Sequence, residues 1–417
     1  MSGPHPLTLL DRYRVLDLTE SNAHLCARIL GDMGADVVKV EPPRGDSSRA
    51  KGPFVGDLPG PNQSVWWLAY NAGKRGITLD IEIVAGRALF RTLVRETDFL
   101  IESFRPGYLE SLGLGYQALR EVKPDLIMTS ITPFGQTGPY RQYEASDLVL
   151  MAMGGFMSEN GYPDSPPIKM SLDQAFHHGA AYGAAASLTA LHARSLGGGG
   201  QHVDVSVQEC LALMFDSPVQ DWLLEGKAGT NRVGCKMPRG AVVLRLVWPC
   251  KDGFVTWRLF TGAAQGRRTH VIIDWAEEDG MDTGLKGTRW DQIDMMTLSQ
   301  ERLDRWEKVF GDFFLSHTKD ELVEGALKRR MMIYPVNDMA SLLGHRHLAA
   351  REFFVDVDHP GLATPLMYPG PYWKCPEAPL RMSRGAPSVG EHNQEVYVGE
   401  MGLSRGDLTA LRATGAI

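Results

Sequence analysis

The first 130 residues alternate between stretches typical of buried strands and stretches typical of helices. Short apolar runs indicate strands at Tyr13–Leu18 and Asp36–Glu41, and the stretch between them, Ala23–Met33, indicates a helix. The alternation continues with a helix and two strands, at Ala85–Arg95, Asp98–Glu102 and Leu126–Ile131. Strands interleaved with helices at this spacing predict an α/β fold, with a parallel sheet wrapped on both faces.

The turn after the first predicted strand argues against a dinucleotide-binding protein. Pyrophosphate can approach the backbone at this turn only where glycines leave room for it. The turn here, Thr19–His24, contains no glycine, although Glu41 ends the second strand where a ribose-binding acid could lie. The chain also has no GxxxxGK[ST] loop, so the sequence predicts a Rossmann-like sheet without nicotinamide or P-loop chemistry.

Composition excludes several further classes of protein. Lys and Arg number 43 against 50 for Asp and Glu, a net charge of −7, which argues against general nucleic-acid binding. The five cysteines are scattered without CxxC pairs, which indicates free thiols in a reducing compartment. The first residues lack the pattern of a secretory signal, and Gln174–Ala193 is too weakly apolar to span a bilayer. We therefore expect a soluble, cytoplasmic protein with no nucleic-acid or membrane partner.

A length of 417 residues is more than one small domain needs. From about Glu225 the pattern changes to loops, short strands and then a charged amphipathic helix. We predict a large domain over residues 1–224, a smaller α+β domain over 225–335, and a linker and return to the large domain over 336–417. Within the last two segments we expect two strands and two helices, at Ala241–Val247, Phe254–Leu259, Ser299–Lys319 and Asn393–Met401.

Asp173 stands at the start of an Ala- and Gly-rich helix in the string SLDQAFHHGAA. A carboxylate at a helix N-terminus is stabilised in its ionised form, so Asp173 could be a nucleophile, although a capping role is the commoner one. His177 and His178 lie one turn further on and point to different faces of the helix. These two histidines and the pair His345 and His347 lack a third ligand at a diagnostic spacing, so we predict no metal site.

Several cations and aromatic residues follow turns where a ligand could bind. Arg49, Arg105 and the pair Lys74 and Arg75 could hold phosphate groups, although each could equally be a solvated surface cation. The pair Trp66–Trp67 could support a nucleobase or pack in the core. Composition and spacing leave these alternatives open.

Seven strings of residues, taken in order, resemble the family III coenzyme A transferases, which include formyl-CoA transferase, carnitine CoA-transferase and 2-methylacyl-CoA racemase. The strings are VLDLT (Val15–Thr19), GDMGADVVKVEPPRGDSSR (Gly31–Arg49), NAGKRGITLDI (Asn71–Ile81), FLIESFRPGYLESLGLGY (Phe99–Tyr116), PFGQTGPY (Pro133–Tyr140), GGGGQHVDVSVQE (Gly197–Glu209) and APSVGEHNQEVY (Ala386–Tyr397).

The resemblance implies a Rossmann-like large domain built from both chain ends, a small middle domain and an interlocked dimer. It implies coenzyme A or acyl-CoA and a carboxylic acid as substrates and an aspartyl covalent intermediate, with no metal. Asp173 is then the nucleophile, and Asn22 donates a hydrogen bond to the thioester oxygen. The CoA contacts that it implies are Ala23, Lys74, Arg75, Leu79, Ser103, Phe104 and Arg105.

Two alternatives stay open within the resemblance. Counting back from Leu191–Arg194 places the family's nucleophile nearer Phe176 than Asp173, which favours a CoA-binding subunit without a nucleophile that pairs with an active paralogue. The second is acid/base chemistry of a lyase or isomerase, with His24, His177 or His178 near the thioester. Racemisation lacks its histidine, because Ser146 stands where the family's racemases carry one.

Overall fold

The computed structural model describes residues 8–20, 23–226, 232–359, 362, 364–380, 382 and 384–417. Six parallel strands form its main sheet, in the order β3-β2-β1-β4-β5-β6. This is the order of a doubly wound dinucleotide-binding sheet, in which the direction of winding reverses between β1 and β4. The six strands are β1 (Arg14–Leu18), β2 (Asp36–Glu41), β3 (Arg75–Thr78), β4 (Phe99–Glu102), β5 (Ile127–Thr132) and β6 (Gln201–Ser206).

Helices cover both faces of this sheet, because neighbouring residues of each strand point to opposite sides. Val15 belongs to the core beneath α1 and α8, and Leu16 belongs to the core beneath α3 and α5. The helices of the chain are α1 (His24–Asp32), α2 (Val65–Asn71), α3 (Val84–Arg95), α4 (Tyr108–Ser111), α5 (Tyr116–Val122), α6 (Asp147–Met153), α7 (Phe156–Glu159), α8 (Gln174–Ala193), α9 (Val207–Ala212), α10 (Asp216–Glu225), α11 (Arg267–Glu278), α12 (Gln300–Leu315), α13 (Lys319–Lys328), α14 (Met339–Leu343), α15 (Arg346–Ala350) and α16 (Arg405–Ala413).

Small residues allow α8 to lie against the sheet and its neighbours. A Cβ atom on Gly179 would stand 2.6 Å from Val207, and one on Gly183 would stand 2.8 Å from Ile131. Both distances are shorter than carbon atoms tolerate, so these two positions require glycine. The Ala- and Gly-rich composition of the helix is therefore a packing requirement.

The last part of the chain returns to the sheet and covers the edge strand β3. The backbone amides of Gly76 and Thr78 donate to the side chains of His392 and Asn393, at 3.1 and 2.9 Å. The hydroxyl of Tyr397, which is fully buried, donates to the carbonyl of Thr78 at 2.8 Å. Strand β3 thus has its outer backbone groups satisfied by residues more than 300 positions away.

The chain divides into two compact units. The larger comprises residues 1–157, 169–229 and 346–417, and the smaller comprises 158–168 and 230–345. The smaller unit has its own apolar core, rich in tryptophan and phenylalanine. Its strands are β7 (Lys236–Arg239), β8 (Val242–Arg245), β9 (Val247–Cys250), β10 (Gly253–Thr256) and β11 (Tyr334–Pro335). The larger unit adds the hairpin of β12 (Phe354–Val357) and β13 (Leu366–Pro369).

The parallel sheet and its flanking helices confirm the predicted α/β class. Three details of the prediction were wrong. The single strand predicted at Ala241–Val247 is two strands, because the chain changes partner at Leu246: β8 pairs with β7, and β9 pairs with β10. The helix predicted over Ser299–Lys319 ends at Leu315, and Thr318 caps a new helix. The helix predicted at Asn393–Met401 is a π-helical segment, Gln394–Glu400, and α16 follows it.

Among the described residues, no helix combines the length and the apolar character that a membrane span requires. Cys26 is a free thiol and fully buried. Burial raises its pKa above the ordinary value, so the thiol stays protonated and inert.

Candidate active site

A cleft of about 820 Å³ opens at the carboxyl edge of the sheet, where β1, β2 and β4 end. Its volume is in the range of small-molecule sites, and its position is the crevice in which doubly wound sheets bind their ligands. Three residues of the predicted CoA set, Leu79, Phe104 and Arg105, line it. A fourth, Ser103, accepts a hydrogen bond from the amide of Glu20 at 2.8 Å, which ties the end of β4 to the end of β1.

Two exposed guanidinium groups line the cleft. Arg105 forms a 3.2 Å ion pair with the exposed side chain of Glu144. Arg44 follows β2 in the sequence Pro-Pro-Arg-Gly-Asp and makes no ion pair with any described residue. Sequence reasoning missed Arg44. The available signal was its position directly beyond a predicted strand, at the edge where a parallel sheet binds phosphates.

Lys74 does not line the cleft, and its side chain is fully buried. Its ammonium group donates to Asp17 Oδ2 at 2.7 Å, Asn71 Oδ1 at 2.9 Å and the carbonyl of His24 at 2.9 Å. Burial lowers the pKa of Lys74 to about 8, although Asp17 opposes that shift. Burial would raise the pKa of Asp17, but Lys74 and Lys39 outweigh it and lower that pKa to about 2. All three donors of the ammonium group are therefore engaged inside the protein.

Lys39 is a second buried cation beside the turn between β1 and α1. Its ammonium group donates to the carbonyl of Thr19 and lies 3.5 Å from Asp46 Oδ2. Lys39 thus holds the start of the turn, at Thr19, and Lys74 holds its end, at His24. The turn is fixed from both sides by buried charge, whereas Asn22 lies outside the described residues.

His24 is completely buried at the first position of α1. Its ring nitrogens lie 3.0 Å from Thr19 Oγ1 and 3.2 Å from Ser48 Oγ. Burial lowers the pKa of His24 to about 4, despite the nearby carboxylate of Asp46, so the ring is neutral at physiological pH. Ala23, which precedes it, is also buried.

Arg75 lies at the first residue of β3, at the amino edge of the sheet and opposite the cleft. Its guanidinium group forms ion pairs with Asp36, Glu395 and Glu400. Arg75 therefore joins β2 and β3 to the returning C-terminal segment, and this position does not fit the CoA contact that the resemblance implies.

The N-terminal end of α8 is capped by a residue distant in sequence. Asp147 is buried and accepts a hydrogen bond from the amide of Ala175 at 2.8 Å, and its second oxygen forms a 2.9 Å ion pair with Lys169. Asp173 precedes the helix but makes no capping hydrogen bond to it. Its carboxylate is half-buried and accepts no hydrogen bond from the first amides of α8.

Three aromatic rings lie beside this end of α8. His177 stacks on Trp66, with ring centroids 5.9 Å apart, and Tyr70 contacts both of those rings. Burial raises the pKa of Tyr70, and the negative charge of Asp173 adds to that shift. Burial lowers the pKa of His177, and the same charge opposes that shift, which places these groups in one electrostatic neighbourhood. His177 Nε2 is buried and has no hydrogen-bond partner among the described residues.

The two tryptophans of α2 contact histidines of two other helices. The ring of His24 meets the edge of Trp67 at 5.9 Å, Trp66 is the next residue on α2, and Trp66 stacks on His177. Trp67 itself is core: it is fully buried, and the guanidinium of Arg49 stacks on it at 3.6 Å. Arg49 also pairs with buried Glu41 and is thus a structural cation.

Phe176, the alternative position of the family's nucleophile, lies inside the core. It is 6% exposed and packs in the cluster that α1 and α8 share. His178 hydrogen-bonds the carbonyl of Gln174 at 2.8 Å, within its own helix. No cluster of three or more metal-binding side chains occurs in the described parts of the chain.

Comparison with known proteins places the chain in a family. The sequence model of CoA-transferase family III matches residues 10–393. Succinyl-CoA:(R)-benzylsuccinate CoA-transferase subunit BbsE of Thauera aromatica is 36% identical over 408 residues, 97% of each chain. Succinyl-CoA–D-citramalate CoA-transferase of Chloroflexus aurantiacus is 30% identical over 421 residues and the full length of both chains.

A solved structure agrees with this placement. The crystal structure of a CAIB/BAIF family protein from Brucella suis superposes with a TM-score of 0.80 at 27% identity, covering 94% of this chain and 99% of the other. The family match covers most of the chain, and the fold and the relatives agree with it. The chain belongs to CoA-transferase family III.

Proposed function

We propose that the chain transfers CoA from an acyl-CoA to a carboxylic acid through a covalent intermediate on Asp173. The observation that carries the proposal is the capping of α8 by Asp147, because it leaves the Asp173 carboxylate free of the helix. An aspartate at that position most commonly caps the helix, and here Asp147 caps it instead.

The chemistry balances without any further reactant. A carboxylate oxygen of Asp173 attacks the thioester carbonyl, the C–S bond breaks, and a mixed anhydride and the CoA thiolate result. The thiolate then attacks the side-chain carbonyl of Asp173, which gives an aspartyl-CoA thioester and releases the first acid as its carboxylate. An incoming carboxylate reverses both steps, leaves as the new acyl-CoA and restores Asp173.

The proposed roles of the other residues follow from their places. Leu79, Phe104, Arg105 and Arg44 line the cleft and are proposed to contact CoA, with the two arginines at its phosphates. Ser103 and the buried group of Lys74, His24 and Ala23 are proposed to position the turn rather than to touch the phosphates. Asn22 remains the proposed donor to the thioester oxygen, on the family resemblance.

Dicarboxylic acids are the proposed substrate class. The two relatives compared above are named for succinyl-CoA as the donor and for benzylsuccinate or citramalate as the acceptor. The rings of Trp66, Tyr70 and His177 beside Asp173 provide an apolar surface that suits a substituted succinate better than a formyl or oxalyl group.

A second candidate is a CoA-binding subunit that works only with an active paralogue. The Thauera relative is named as a subunit, and counting back from Leu191–Arg194 places the family's nucleophile nearer the buried Phe176 than Asp173. We propose the interlocked dimer of the family as the assembly in either case, with the larger unit as the CoA-binding domain and the smaller unit as the middle domain. Acid/base catalysis by His24 is the weaker alternative, because that ring is fully enclosed.

Trapping with hydroxylamine tests the proposal. The purified chain is incubated with succinyl-CoA and hydroxylamine, and a hydroxamate is located by mass spectrometry of its peptides. We expect modification of Asp173, loss of it in Asp173→Asn, and no change in Asp164→Asn, an exposed control. A chain that binds succinyl-CoA but is never modified, with activity appearing only on addition of a paralogue, would instead establish the subunit function.

A further inference from the structure

The smaller unit contains a cavity that the proposed chemistry above does not use. Its volume is about 440 Å³, enough for a small organic acid. Leu244, Phe260 and Met295 form an apolar wall, and the side chains of Arg239 and Arg258 also line the space. An apolar wall combined with cations matches an anion that carries a hydrocarbon group.

The two arginines are available to such a ligand. Neither forms an ion pair with a carboxylate of the described chain, although the unit is rich in acidic residues. The half-buried guanidinium of Arg258 lies 4.7 Å from the ring of Phe260, which orients it. The acid that lines the cavity, Asp294, uses Oδ1 to accept the amide of Met296 at 2.9 Å. Guanidinium groups in this setting bind carboxylates through paired hydrogen bonds.

The walls of the cavity are held in place by backbone contacts. The hydroxyl of Thr269 donates to the carbonyl of Phe260 at 2.7 Å and accepts from its amide at 3.1 Å. On the other side, a Cβ on Gly240, which has a φ of +60°, would stand 2.6 Å from the carbonyl oxygen of Met295. Because these approaches are so close, the cavity is formed before any ligand arrives.

We infer that this cavity binds a small carboxylic acid that carries a hydrocarbon group, with Arg258 and Arg239 on a carboxylate and Phe260 and Met295 against its hydrocarbon part. The chemical identity of the acid rests on the proposed function. The evidence for a binding site is independent of it: two arginines line the cavity without a carboxylate partner in the described chain. The acids named for the two relatives, benzylsuccinate and citramalate, are small carboxylic acids of this kind, and benzylsuccinate also carries an apolar ring.

Calorimetric titration of the full-length chain with benzylsuccinate, without CoA, tests the site. We expect the Kd to rise at least tenfold in Arg258→Gln and in Arg239→Gln. Arg302→Gln is the matched control, because Arg302 also stacks on an aromatic ring, that of Trp306 at 4.8 Å, and does not line the cavity. The diamide of benzylsuccinic acid should bind at least tenfold more weakly than the acid.

Two results would overturn the inference: an acid affinity within twofold of the wild-type value in both arginine variants, or no binding of the acid by the wild-type chain. Thermal unfolding of each variant, within about 2 °C of the wild type, shows that the loss is not one of folding. Asp173→Asn separates this inference from the proposed function. If Asp173 is not the nucleophile, that variant keeps its transferase activity, and the effect of Arg258→Gln on acid binding is unchanged.

Discussion

Replacing Lys74 by Met distinguishes a structural cation from a CoA ligand. The ammonium group is completely buried and holds Asp17, Asn71 and the carbonyl of His24. Met fills a similar volume but leaves the Asp17 carboxylate in the interior without its nearest cation. Breaking a buried ion pair on one side costs about 3–5 kcal/mol. We expect the lower end, about 3 kcal/mol, because Lys39 remains 4.0 Å from Asp17.

Urea denaturation of Lys74→Met, Asp17→Asn and the double variant measures this cost. If the two groups stabilise each other, the double variant is less destabilised than the sum of the single variants, by about 2 kcal/mol. Lys308→Met is the control, because Lys308 is exposed and pairs with Asp312 on the surface, where the cost is below about 0.5 kcal/mol.

The same variants decide whether Lys74 binds CoA. A folded Lys74→Met protein should bind acyl-CoA with a Kd within about threefold of the wild type, since the cleft does not include Lys74. An unfolding free energy within about 1 kcal/mol of the wild type, together with a tenfold weaker affinity for acyl-CoA, would refute the structural role and restore the phosphate contact.

Three further outcomes are expected. Asp173→Asn should lower kcat at least about 10³-fold and change the unfolding free energy by less than about 1 kcal/mol, whereas Asp147→Ala should destabilise by about 1–2 kcal/mol through loss of the cap, as measured by steady-state assay and urea denaturation. Arg44→Gln should raise the KM for acyl-CoA about tenfold without changing kcat. The pKa of His24 is about 4 in the folded chain against about 6.5 when unfolded, so folding favours the neutral ring. The contribution of His24 to the unfolding free energy should be full above pH 6.5 and fall by about 3 kcal/mol as the pH drops to 4. His24→Gln should remove that part of the pH dependence of the unfolding free energy. If the unfolding free energy of His24→Gln depends on pH as that of the wild type does, the prediction for His24 is refuted.

The elements of the fold were accessible from sequence because local patterns determine them. The strand at Asp36–Glu41 was predicted to the residue, and α8 begins one residue after Asp173, where its start was predicted. The division of Ala241–Val247 was not accessible, because both halves are apolar and only their different partners separate them. Pairing of distant segments leaves no signature in a local pattern.

The candidate site was less accessible, because the role of a charged residue depends on its neighbours in space. Lys74 and Arg75 are adjacent in sequence, but one points into a buried network and the other lies in ion pairs at the amino edge of the sheet. Their partners, Asp17 and Asp36, are 57 and 39 residues away. The cap supplied to α8 by Asp147 likewise comes from 28 residues earlier, so sequence alone left both roles of Asp173 open.

The covering of β3 by His392, Asn393 and Tyr397 has a consequence for biosynthesis. While a ribosome is still making the middle of the chain, the edge of the nascent sheet stays bare, because the residues that close it are translated more than 300 positions later. An exposed edge is a template for pairing with other chains. Folding of the larger unit should therefore finish only after these residues have left the ribosome, and the interval before that is when chaperones would matter most.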